Sequence, residues 1–106
     1  MKMPETHLTR WWGATMPNPD EHTLRLALLE LSNADSEHPD CWLSDENSWT
    51  ISANTGGSVV FENSESGEGP WHMDAIDTET VLELWTCLQK GNLDKIRAQP
   101  WLKGYR

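Results

Sequence analysis

Between Leu26 and Gln89 the chain has no lysine and no arginine, although the same stretch carries thirteen aspartates and glutamates. Together with a formal charge of −9 over 106 residues, this excludes nucleic acid as a direct ligand, because phosphate binding relies on a basic patch. The one basic concentration, Lys90, Lys95, Arg97, Lys103 and Arg106, falls at the C-terminal end and is expected to pair with the acidic body or to complement helix C-termini. Cysteine is equally scarce. Cys41 and Cys87 stand far apart, and the start from Met1 to Glu5 shows no apolar leader, so reduced, buried thiols and a cytoplasmic home are expected. No apolar run approaches membrane-spanning length, and no membrane partner is expected.

Signatures of chemistry are also missing. Gly56-Gly57 and Gly67-Glu68-Gly69 lack the strand-to-helix setting and the Lys-Ser/Thr of a phosphate loop, so hairpin turns explain them and no cofactor is expected. His38 and Cys41 have the spacing of half a zinc site, but no second pair follows and a structural zinc needs four ligands; no metal is expected. Many carboxylates without a neighbouring base describe a solvated or docking surface better than a tuned acid–base pair. His72, beside Trp71, is the histidine to inspect first.

What the chain does contain is tryptophan, seven against one phenylalanine and one tyrosine. An indole buries on the order of 150–250 Å² and wants a partner for its N–H. Most of the seven are therefore expected in the core, with one or two left as surface anchors.

The pattern along the chain predicts one α+β domain over residues 1–106. Residues 6–15 read as a strand closed by Gly13 and Pro17. Asn18-Pro19-Asp20-Glu21 then reads as a helix start with Asn18 as the cap, followed by a leucine stripe from Leu24 to Leu31. An acidic loop, residues 33–40, precedes strands at 41–43, 49–53 and 58–62, the last two forming a hairpin. A second acidic loop, residues 63–70, leads to a short strand at 71–74. Asp77 caps a second helix carrying Val81, Leu84, Trp85 and Leu88, and Asn92 caps a short third one, Leu93 to Ala98. The expected architecture is an antiparallel sheet of about four to five strands, with two main helices and a short C-terminal helix packed on it.

Several of these elements together carry a resemblance. Asn18-Pro19 opens a leucine-rich helix, and Trp49 leads to Phe61-Glu62-Asn63. His72-Met73 then precedes Val81-Leu82-Glu83-Leu84-Trp85, Gly91-Asn92-Leu93 follows, and Pro100-Trp101 leads to Gly104-Tyr105. From residue 18 onward the chain resembles the Imm1-like bacterial immunity proteins of polymorphic toxin systems. That resemblance implies a single α+β domain, not an enzyme, that neutralises a cognate toxin delivered in interbacterial competition. Charge leads the same way, since an acidic protein can fill the basic cleft of a toxin that acts on nucleic acid. The expected docking rim is Asp45, Glu46, Glu62, Glu65, Glu68 and Asp74, with Trp71 as apolar anchor. Two alternatives compete with it: a small enzyme using His72 with a carboxylate, and an adaptor or chaperone that escorts a basic effector.

Overall fold

The computed structural model describes residues 4–34 and 40–105. Among the described residues, seven strands form one sheet in the order β2-β1-β3-β4-β5-β6-β7, every neighbour antiparallel. They are β1 (Thr6–Thr9), β2 (Thr15–Pro17), β3 (Asp40–Asp45), β4 (Trp49–Asn54), β5 (Val59–Asn63), β6 (Trp71–Met73) and β7 (Leu102–Lys103). Three helices accompany them: α1 (Glu21–Glu30), α2 (Thr78–Gln89) and α3 (Leu93–Arg97), with a short 3-10 turn at Leu31–Asn33.

The mixed antiparallel fold agrees with the sequence pattern, whereas the strand count does not: there are seven strands, not four to five. The stretch 6–15 is not one strand. It folds back at Arg10–Ala14, where the Gly13 N–H reaches the Arg10 carbonyl at 2.9 Å with Gly13 at φ 97°, a turn that glycine enters freely. β2 and β7 are three and two residues long, too short to leave a period in the sequence. The start of α1 also differs. Asn18 does not cap it; its N–H bonds the Thr6 carbonyl and its Oδ1 accepts from the Thr6 N–H at 2.9 Å, closing the β1–β2 hairpin. Asp20 is the cap instead, accepting from the Thr23 N–H at 2.8 Å.

Strict alternation in β3, β4 and β5 assigns each side chain a face. One face carries Leu8, Cys41, Leu43, Trp49, Ile51, Ala53, Val59 and Phe61, all buried, beneath Leu24 and Ala27 of α1 and Val81, Trp85 and Leu88 of α2. Each such aliphatic side chain contributes roughly 1.5–3 kcal/mol on leaving water. α2 crosses β3 and β4, and the Trp85 indole donates to the Ile51 carbonyl at 3.0 Å. The largest fully buried side chain thus has its polar atom satisfied by the central strand.

Asp77 caps α2 as Asp20 caps α1, accepting from the Thr80 N–H at 2.8 Å. Hydrogen bonds from Thr23 and from Thr80 hold both carboxyls below their ordinary value of 3.8. A lowered folded-state pKa favours the fold above the unfolded value, and the benefit disappears as pH falls through the folded value. The unfolding midpoint should therefore drop in acid, below pH ~4. In the Asp20→Asn, Asp77→Asn double variant, whose caps do not titrate, that drop should be shallower. An unchanged acid limb in a thermal titration would remove the caps from the cause.

Candidate functional site

The seven residues of the expected rim do not meet in one place. Asp45 is buried, 8% exposed, and its Oδ1 accepts from the Asn47 and Trp49 N–H groups, both at 2.9 Å, which builds the β3–β4 turn. It is committed to the fold. Desolvation raises its pKa above the ordinary value, so its ionisation opposes folding above that pKa. Asp45→Asn keeps both bonds through the amide oxygen and discards the buried charge, and its stability at pH 7 should match or exceed wild type. Asp45→Ala strands two N–H groups and should cost about 1–3 kcal/mol in urea titration. Equal losses in the two variants would contradict this account.

Glu46 and Glu65 do come together at one end of the sheet. Glu46 accepts the Glu5 N–H at 3.3 Å, and Glu65 accepts from Ser48 Oγ at 3.4 Å. The loop after β5 is stitched to the β3–β4 turn by Ser64 N–H on the Ser48 carbonyl and by Asn63 Nδ2 on the Asn47 carbonyl. Glu68 follows on the same loop, 4.0 Å from the Arg97 guanidinium. Asp74 lies at the opposite end, just past β6. Trp71 packs on the core side, its ring 5.6 Å from Phe61.

Glu62 is on the other face, and that face is what the sequence did not reveal. Among the described residues no helix packs on it. Register places one row of side chains across it: Thr15, Thr9, Trp42, Ser52, Val60, His72 and Leu102. Trp42 is partly exposed and does not pack against the core, unlike Trp11, Trp71 and Trp101. Its in-register neighbours Thr9 and Ser52 are small, so the indole projects above them. Asp40 precedes Trp42 by two residues and shares its face, and Glu62 accepts from Tyr105 Oη at 3.3 Å. Asp74 also turns this way, its Oδ2 3.8 Å from His72 Nε2.

The described cations all belong to the helix side. Arg10 pairs with Glu30 of α1 at 3.2 Å, and Arg25 pairs with Glu21 and Glu79 at 3.3 and 2.7 Å. Lys90 ends α2, Lys95 and Arg97 lie in α3, and Lys103 is in register with the core-facing Trp71. Lys2 and Arg106 fall outside the described residues. The open face thus carries Asp40, Glu62 and Asp74 and no described lysine or arginine.

The other chemical candidates are now placed as well. His72 is buried and donates Nδ1–H to the Gly104 carbonyl at 2.8 Å, tying down the segment after β7. Its 3.8 Å distance to Asp74 is longer than a hydrogen bond. The cavity of about 540 Å³ beneath α1 is lined by neither His72 nor Asp74. Cys41 and Cys87 are free thiols, both buried, and burial pushes Cys41 up to about 12, so it stays protonated at neutral pH. Among the described residues no three His, Cys, Asp or Glu side chains are grouped to hold a metal ion; His38, of the His38–Cys41 pair, lies outside them. No described helix is long and apolar enough to cross a membrane. Compared with protein-family models, curated proteins and solved structures, the chain gives no significant match.

Proposed function

We propose that this chain is a protein-binding domain that docks a positively charged protein on the open face of its sheet. The partner is a cognate secreted toxin of interbacterial competition, and the chain neutralises it by occluding a basic active-site cleft. The observation that carries the docking surface is the separation of charge: described lysines and arginines lie on the helix side, while the open face that holds Trp42 offers Asp40, Glu62 and Asp74. Opposite potentials accelerate encounter and fix orientation, and a partly exposed tryptophan within a carboxylate rim supplies the apolar anchor such interfaces use. The choice of a toxin rests on the resemblance to Imm1-like immunity proteins.

Relative to the rim expected from the sequence, Glu62 and Asp74 are kept, Trp42 replaces Trp71 as anchor, and Glu46 with Glu65 forms an acidic margin at one end of the sheet. The test is co-expression with the product of the large secreted-toxin gene next to the gene for this chain. Cells should survive, and the two proteins should co-purify in a complex that weakens as salt rises. Failure to bind or to protect overturns the proposal. Binding that leaves the partner fully active identifies an escort rather than an inhibitor.

A further inference from the structure

We propose that the cleft between Trp71 and Trp101, on the helix side and away from the docking face, binds a small aromatic carboxylate. The cleft holds about 350 Å³ and is lined by Phe61, Trp71, Arg97, Gln99 and Trp101. That is the lower end of the range for small-molecule sites, about 300–1,000 Å³, and it matches their usual make-up of an aromatic lining with a few polar groups. Phe61 is the floor. Trp71 and Trp101 flank it at 5.6 and 5.5 Å, each tilted by 31°. Trp71 is fixed in β6 by its register with Phe61, and Trp101 donates its indole N–H to the Ile96 carbonyl at 2.7 Å. A flat ring laid against either indole gains the offset and tilted contacts that aromatic groups prefer.

Charge selects the rest of the ligand. The Arg97 guanidinium rests 5.0 Å over the Trp49 ring, and its side chain is 49% exposed. The Glu68 carboxylate stands 4.0 Å away, beyond hydrogen-bonding distance, so among the described residues the planar donor set of Arg97 is largely uncommitted. Lys103, in register with Trp71, is a further cation on the same side of the sheet. A ligand carboxylate can occupy the close position that Glu68 does not reach and receive charge-assisted bonds from Arg97. A ligand ammonium would meet the guanidinium instead.

The experiment uses the full chain, isotopically labelled at its indole nitrogens, titrated to millimolar concentration with benzoate, benzyl alcohol and benzylamine. Benzoate should move the Trp71 and Trp101 indole signals and leave Trp42 in place. It should bind about 10-fold tighter than benzyl alcohol, with benzylamine weakest. Arg97→Gln should erase that preference, and Glu68→Gln, which removes the nearby carboxylate charge that would repel a ligand carboxylate, should tighten benzoate by a few-fold. Benzoate that moves neither cleft indole overturns the site. Equal binding of all three probes, or a preference that survives Arg97→Gln, overturns the assignment of a carboxylate. Because the cleft and the open face lie on opposite sides of the sheet, either result leaves the docking proposal where it stood.

Discussion

Trp85→Ala is expected to destabilise the protein by about 3–5 kcal/mol, the usual cost of truncating a large buried aromatic. Trp85 is fully buried and spans the interface between α2 and the sheet, so little can move in to fill the void. The variant also loses the bond from the indole N–H to the Ile51 carbonyl, on the strand at the centre of the seven. Domains of this size hold roughly 5–15 kcal/mol in all. The loss should lower the thermal midpoint by roughly 12–40 °C, on the scale of about 4–8 °C per kcal/mol for a small domain. Trp85→Phe keeps much of the volume and gives up the N–H, so its loss should be less than half as large. Thermal and urea unfolding followed by far-ultraviolet circular dichroism measures both. A loss under about 1 kcal/mol for Trp85→Ala would mean that the contact of α2 with β3 and β4 does not organise the fold.

α2 and α3 were legible because their start signals act locally: Asp77 and Asn92 bond N–H groups three residues on, which sequence spacing records directly. The β4–β5 hairpin was legible for a similar reason, its turn chemistry and alternation lying within one short window. Trp49, Ile51 and Ala53 do share the buried face that their spacing indicates. Asn18 shows where local signals compete. It is a good cap residue, but the chain uses its side chain on Thr6, twelve positions back, and Asp20 takes over the helix. β2 and β7 exist only through their neighbours, as edge strands too short to announce themselves. The candidate site was less legible still. Period two states that Trp42 and Glu62 lie opposite Leu43 and Phe61, but not that the helices leave their face uncovered. Asp45 looks like any surface carboxylate until the β3–β4 turn closes around it.

Reversing two carboxylates of the open face, Glu62→Lys with Asp74→Lys, should weaken binding to a basic partner by roughly 100-fold at low salt, close to 2.8 kcal/mol. The reason is local as well as global. Both residues stand on the face that holds Trp42 and no described lysine or arginine, so each new cation meets the partner's own positive surface instead of a neighbouring acid. Most of the change at low salt should appear in the association rate, since long-range attraction between the free proteins sets steering. The salt dependence should flatten, because fewer opposed charges remain to be screened over a Debye length of about 8 Å. Glu83→Lys with Asp94→Lys is the control: it alters net charge by the same amount on the helix side, where Arg25, Lys90 and Lys95 already reside. If net charge alone governed association, the two pairs would weaken binding equally, and the open face would lose its claim. Trp42→Ala separates the remaining possibility. It should leave the salt dependence intact while speeding dissociation, by at least about 2 kcal/mol if the indole is the anchor. Charge reversal felt in association, together with indole truncation felt in dissociation, is the pattern expected of an acidic rim around an apolar anchor.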